Sequence, residues 1–452
     1  MRKSLLGLCI LSALATPAFA ADPPSADQRI AALEARIQAM EVELQQIKAQ
    51  SVAVAPPTTA PAATDAEAEI DALAASPDEV AASESAQVAA PAGSTSSGSN
   101  PNLFNPAISI IINGSYGHHS LNSNDYVRVG FPLVGEGGPG VNGFSLGESE
   151  IAMATNIDDK FYGQLTLAVG SEDGLGIEEA FIDTTALPAG FSLRMGRFFS
   201  NIGYLNTHHT HTDNFFDRPL PYQAFLGGQY GDDGVQLRWV APTAMFLEVG
   251  GELLRGQNFP SGGAQHGGVG TRTLFAHVGG DVGIETSWLA GVSMLKTKAA
   301  GAADGFSGDG TLYIADGTLK WAPQGNTKDG GITVRGEYFL DDRDGVFADP
   351  EAPELTTLWN GQRRGAYLEG VYRLNRRWDI GYRYDRLWAD DSGPLASDFD
   401  PFRHSAELTW RNSEFSLVRL QLSHDKPNPD DSDNAVTVQY QISLGAHGAH
   451  KF

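Results

Sequence analysis

Near its end the chain alternates strictly. Val436, Val438, Tyr440, Ile442 and Leu444 are apolar, and Thr437, Gln439, Gln441 and Ser443 between them are polar. A period of two puts one set on one side of a β-strand and the other set on the opposite side. The last residue, Phe452, falls on the even, apolar side. A closing strand of this kind, ending on an aromatic residue, predicts a transmembrane barrel whose apolar face meets lipid.

Similar alternation marks sixteen segments, near 107–117, 144–155, 160–170, 177–187, 191–198, 234–241, 244–254 and 271–280, then 284–296, 309–322, 331–340, 365–374, 377–388, 403–411, 415–424 and 434–444. Their connections are long and short in turn. Asn156-Ile157-Asp158-Asp159, Pro188-Ala189-Gly190, Pro242-Thr243, Asn375-Arg376 and Asn412-Ser413-Glu414 are tight turns. The segments 118–143, 199–233, 255–270, 341–364 and 389–402 are long, and the acid runs Asp341-Asp342-Arg343-Asp344 and Asp430-Asp431-Ser432-Asp433 read as solvated loops. Short turns inside, long loops outside and both termini in the periplasm are the pattern of a bacterial barrel, which an even strand count closes.

The strand faces separate by polarity. Ile332, Val334 and Tyr338 oppose Thr333, Arg335 and Glu337; Leu368, Tyr372 and Leu374 oppose Glu369 and Arg373. Ile380, Tyr382 and Tyr384 oppose Arg383 and Asp385, and Ala406, Leu408 and Trp410 oppose Glu407 and Arg411. Charges of both signs share one face and would be costly against lipid, so they are expected to line a wet interior. At about sixteen strands that interior accommodates an aqueous channel.

The first hundred residues follow other rules. Arg2 and Lys3, the apolar run 5–14 and Ala18-Phe19-Ala20 make 1–20 a secretory signal, which contains the chain's one cysteine, Cys9. A mature chain without it has no disulfide and no thiolate chemistry. Ile30, Leu33, Ile37, Met40, Leu44 and Ile47 lie on a heptad seam, with Asp27 as a cap, so 21–50 reads as a short periplasmic coiled-coil helix or a lone amphipathic one. The Ala, Pro, Ser and Thr of 51–105 cannot bury a core and read as a disordered linker. The barrel is assigned to 106–452. A net charge of −24 argues against nucleic acid as a partner. The 52 glycines suit a sheet with many turns, and a mean hydropathy of −0.22 is what alternating strands average to.

The longest connection, 199–233, is too aromatic for a solvated tip. Phe215, Phe216, Tyr222, Phe225 and Leu226 need a surface to pack on, and the inner barrel wall supplies one. The loop is expected to fold inward and narrow the pore near Asp217 and Arg218, with Arg335, Glu337, Arg373, Arg383 and Asp385 lining the lumen beside it. His208, His209, His211 and Asp213 crowd six residues of it. Imidazole and carboxylate suit zinc, copper or nickel, and in an extended segment His209, His211 and Asp213 share one face. The alternative is a polar constriction with pH-sensitive imidazoles and no tight site. His118, His119, His447 and His450 belong to the same total of 11 histidines.

The stretch Ile177-Glu178-Glu179-Ala180-Phe181-Ile182-Asp183, followed by Leu187-Pro188 and Leu193-Arg194-Met195-Gly196-Arg197-Phe198, resembles the phosphate-selective porin O/P-like family of Gram-negative outer membranes. In that family such a strand pair, ending in Gly-Arg-Phe, leads into the third loop, and a coiled-coil segment precedes the barrel. The resemblance covers about 100–452 and implies a sixteen-stranded, homotrimeric porin among outer-membrane lipids. Anion selectivity in the family relies on an arginine- and lysine-rich lumen. Here lysine is scarce and the loop offers Arg218 among histidines and acids, so phosphate selectivity is not carried over. The wider group also occurs beside metal-homeostasis proteins, which implies divalent-metal uptake or a metal-responsive channel as the second reading.

Other functions fit less well. His211 and Asp213 could be half of a hydrolytic triad, but no Gly-x-Ser-x-Gly motif accompanies them, and no enzyme is assigned. A receptor with a folded plug needs about 22 strands, more than this chain holds. An envelope anchor acting through the 30–47 helix is the remaining option. The expected function is a passive channel for small charged solutes or ions.

Overall fold

The computed structural model describes residues 106–135, 137–170, 174–262, 268–349 and 352–445. The leader, coiled-coil helix and linker expected for 1–105, and the tail with His447, His450 and Phe452, lie outside the described residues.

The described chain is one antiparallel sheet of 17 strands. The first half comprises β1 (Ala107–His119), β2 (Gly143–Leu146), β3 (Ser149–Asn156), β4 (Phe161–Gly170), β5 (Gly174–Thr184), β6 (Phe191–Phe199), β7 (Gly231–Val240) and β8 (Phe246–Leu254). The second half comprises β9 (Thr271–Val282), β10 (Thr286–Ala300), β11 (Phe306–Trp321), β12 (Gly331–Asp349), β13 (Ala352–Asn375), β14 (Trp378–Asp391), β15 (Phe402–Ser413), β16 (Ser416–Lys426) and β17 (Asp433–Gly445). Strand β1 pairs with β17 from Ser109↔Gly445 to His119↔Ala435 and closes the sheet into a barrel. Strands β2 and β3 both pair with β1 and are halves of one wall strand, so the wall has 16 strands. All sixteen segments expected from periodicity are wall strands.

The barrel is inverted relative to a water-soluble protein. On β17 the polar Thr437, Gln439 and Gln441 are buried, whereas Val436, Val438, Tyr440 and Leu444 are exposed. The same holds on β12, where Arg335 and Glu337 are buried and Ile332, Val334 and Tyr338 are exposed. Exposed apolar rows around a closed, hydrogen-bonded wall are the solution that lipid demands. Tight turns close the other end; Asp158 Oδ1, for example, accepts from the backbone N–H groups of Lys160 (2.8 Å) and Phe161 (2.9 Å).

The expected loop 341–364 is instead strand. Strands β12 and β13 continue their ladder to the Asp349↔Ala352 pairing. Asp341 and Arg343 point inward and are buried with Asp304 and Arg363; Arg343 lies 2.7 Å from Asp304 and 2.9 Å from Asp341, and Arg363 lies 2.9 Å from Asp341. The buried rings of Phe306 and Trp359 cover these guanidinium groups. Beyond the lipid a strand has no apolar face to show, so the period-two signal vanishes although the strand does not. Asp433 likewise leaves the solvated run assigned to it, pairing with His119 Nδ1 at 2.7 Å and accepting from the Leu121 N–H.

Candidate functional site at the inward-folded loop

The loop between β6 and β7 begins at the Gly-Arg-Phe sequence. Gly196 adopts φ +130°, and a Cβ there would stand 2.2 Å from the Ala180 carbonyl, so only glycine lets β6 lie this close to β5. Arg197 pairs with Asp233 across the loop's neck at 2.7 Å, and Phe198 opens the buried cluster. Two 3₁₀ turns, Leu205–Thr207 and Thr210–Thr212, and a short helix α1 (Leu220–Leu226) follow.

This loop crosses the lumen and is fastened on both sides. On one side Asn201 N donates to Glu252 (2.8 Å), Gly203 N to Ser293 Oγ (2.9 Å), and Tyr204 N and Leu205 N to Glu337 (3.0 and 3.2 Å). The Tyr222 and Tyr367 hydroxyls also donate to Glu337, at 3.0 and 2.7 Å. Gly203 must be glycine, because a Cβ would meet Glu337 Oε2 at 2.4 Å at a φ of +62°. On the other side Phe216 N donates to Gln421 (2.7 Å), Arg419 donates to the Asp213 carbonyl (2.7 Å), and Leu220 N donates to Asp385 (3.3 Å). Between these anchors Leu220, Tyr222, Phe225 and Leu226 pack against the inward-facing Leu254, Ile314, Phe339 and Leu387. The rings of Phe225 and Phe339 stack at 5.9 Å. Burial of each such side chain contributes about 1.5–3 kcal/mol.

The lumen is consequently narrowed at this level. Residues 201–230 are all buried or half-buried, and the loop's contacts reach Glu150 and Glu179 on β3 and β5, Glu252 and Ser293 on β8 and β10, and Glu337, Asp385 and Gln421 on β12, β14 and β16.

The residues singled out in the sequence are spread over several places. Asp217 sits between Arg383, at 3.0 Å, and Arg403, and accepts from Gln421. Asp385 pairs with Arg383 at 3.0 Å, and Arg335 with Glu369 at 3.2 Å, with the Arg335 guanidinium over the Tyr204 ring. Arg373 is elsewhere, paired with Asp379 at the turn end of β13 and β14. Arg218 is buried inside the loop, where it binds the Leu205 and His208 carbonyls and pairs with Asp213 at 3.1 Å. His208 stacks on Tyr204 at 4.6 Å. The expected grouping of His208 and Asp213 with His209 and His211 is therefore not what the fold brings together: the 3₁₀ turn at 210–212 breaks the extended geometry that would have put Asp213 on their face.

Burial opposes ionisation of Asp217, but Arg383, Arg403 and Gln421 outweigh it and hold its pKa at about 2. A depressed pKa contributes stability that is present above the ordinary value of about 3.9 and lost as pH falls toward the folded value. Thermal stability of the purified barrel should therefore fall between about pH 4 and pH 2. An Asp217→Asn variant should show a shallower loss over that window; an identical slope would remove this carboxylate from the loop's fastening.

His209 and His211 meet carboxylates that the sequence did not single out. His209 Nδ1 lies 3.1 Å from Glu150 and 3.2 Å from Glu178, and its Nε2 lies 3.1 Å from Glu179. His211 Nδ1 lies 2.7 Å from Glu150, and Thr210 Oγ1 donates to Glu148 at 3.0 Å. Burial alone would lower the His209 pKa; hydrogen bonds to Glu150, Glu178 and Glu179 raise it well above its ordinary value. Two β-bulges gather these acids. Gly114 pairs with Leu146 but Ile111 pairs with Glu150, so one extra residue turns the even positions from outward (Phe144, Leu146) to inward (Glu150). Thr166 pairs with Glu179 but Leu167 pairs with Ile177, which leaves Glu178 as the extra residue. A bulge re-aims a side chain in this way.

No family model matches the chain. It is 28% identical over 386 residues to an uncharacterized protein of Aquifex aeolicus (strain VF5), covering 77% of this chain and 80% of that one. Among solved structures it is similar to the outer membrane channel DcaP of Acinetobacter baumannii, with a TM-score of 0.50 and 10% identity over 75% of this chain and 97% of that one. A loop L8 deletion mutant of OmpT, an outer membrane protein of Vibrio cholerae, gives a TM-score of 0.50 at 12% identity over 75% and 99% of the two chains. These likenesses are of fold, and with the inverted wall they make the chain an integral β-barrel of the outer-membrane type.

Proposed function

We propose that this protein is a passive outer-membrane channel for small charged solutes or ions, narrowed and made selective by the loop between β6 and β7. The single observation that carries the reading is a closed barrel whose inner wall bears both signs of charge and is crossed by a loop fastened to it. Opposed charges along a low-dielectric wall orient charged and dipolar solutes, because the field is focused there. Because the loop crosses the lumen and is fastened to both sides of it, passage is through the polar gap it leaves rather than through the full width of the barrel. The reading includes the homotrimer implied by the porin resemblance and a periplasmic N-terminal segment; it assigns no reaction.

The test is single-channel recording of the purified full chain in a planar bilayer. Small, discrete open steps are expected. A barrel that inserts but carries no current would sink the channel reading in favour of an envelope anchor.

A further inference from the structure

Two features of the His209 neighbourhood go beyond ion pairing. First, it is assembled from both a loop and two bulged strands. Ligand atoms of Glu150, His209 and His211 lie within 4.8 Å of one another, as do those of Glu148, Glu150 and Glu178. Second, its carboxylates converge. The Glu178 side chain, only 10% exposed, stands 3.2 Å from His209 Nδ1, and Glu150 stands 3.1 Å from the same nitrogen. One ring nitrogen carries at most one proton to share between two buried acids, whereas a cation among them would serve both.

We propose that His209, His211, Glu150 and Glu178 form a binding site for a borderline divalent metal ion of the zinc class, which clamps the loop to β3 and β5. Two imidazoles and two carboxylates are the mixed nitrogen and oxygen donor set that such ions favour over calcium or magnesium. Bonds of roughly 2.0–2.2 Å in tetrahedral geometry place neighbouring donors about 3.3–3.6 Å apart, and His209 Nδ1 stands 3.1 Å from Glu150 Oε2 and 3.2 Å from Glu178 Oε2. His211 Nδ1 lies 2.7 Å from the other Glu150 oxygen, so Glu150 stands between the two imidazoles. Glu148 and Glu179 flank the four as further carboxylates. A cavity of about 300 Å³ lined by Glu178, Arg197, Phe199 and Gln229 provides a way in from the long-loop side.

Binding at this site does not rest on the channel reading. Isothermal titration of chelator-stripped full-length protein with zinc chloride should give one saturable site per chain. A His209→Ala/His211→Ala double variant should weaken it by more than about a hundredfold. Glu178→Gln, which keeps the shape, should weaken it by about tenfold or more, and exposed His118→Ala should leave it unchanged. Magnesium should not compete. Heat-modifiable migration on gels confirms that each variant is a folded barrel. Absence of a zinc isotherm, or an isotherm indifferent to Glu178→Gln and to the double variant, overturns the site. Zinc binding without any current supports the site and rejects the channel; zinc-independent current with no isotherm does the reverse.

Discussion

Replacing residues 201–229 with a short Gly-Ser linker should raise single-channel conductance several-fold. The narrowest segment dominates the resistance of a pore, and here that segment is the level of the loop, which crosses the lumen from Glu252 and Glu337 to Asp385 and Gln421. With the loop gone, the lumen of a sixteen-stranded wall opens to the width of an aqueous channel. The wall should survive, because its ladder of backbone bonds runs unbroken from β1 back to β17 without the loop. It should be less stable, since Ile314, Phe339 and Leu387 lose their apolar cover at about 1.5–3 kcal/mol each. Equal step sizes from the two proteins would mean that solute never passes the loop.

The second large effect is expected at Glu337. This one carboxylate accepts from Tyr204 N, Leu205 N and the hydroxyls of Tyr222 and Tyr367. Glu337→Ala leaves Tyr204 N and the Tyr222 and Tyr367 hydroxyls without this acceptor, while Leu205 N keeps the Tyr222 oxygen at 3.0 Å; each stranded donor costs about 1–3 kcal/mol where water cannot reach it. The total is comparable to the free energy that keeps a loop docked, so undocked states should become common. The variant should show a markedly lower melting temperature for the loop transition and frequent excursions to larger current levels. Glu337→Gln, which keeps one acceptor oxygen, should fall between. Wild-type melting and quiet currents in Glu337→Ala would show that the loop is held by its aromatic face alone.

The wall strands were legible from sequence because lipid and lumen impose opposite requirements on alternate residues, as at Val436 to Leu444. That condition ends where the lipid ends. Asp341, Asp342, Arg343 and Asp344 lie in strand β12 with polar side chains on both faces, so no period marks them. The inward fold of the third loop was legible in its aromatic residues, and His209 and His211 in their spacing. Their partners were not, because alternation does not run unbroken along β2, β3 and β5. The bulges at 147–149 and 178 reverse it, and Glu150 and Glu178 reach the His209 side of the wall by a backbone irregularity that composition does not record. Adjacent acids within a barrel strand, as at Glu178-Glu179, were the available sign.

Those two bulges also determine which length changes the gene can tolerate. In an ordinary loop a one-codon deletion shortens a tether. At Glu178 it would erase the irregularity and carry every residue on one side of it to the opposite face, exchanging membrane-facing side chains for water-facing ones along the rest of the hairpin arm. Purging should therefore be strict for single-codon insertions and deletions at 147–149 and 178, and lenient a few positions away in the long connections. A saturation library of one-codon indels, scored for folded barrel at the cell surface, would map the bulges as two narrow gaps in an otherwise forgiving rim.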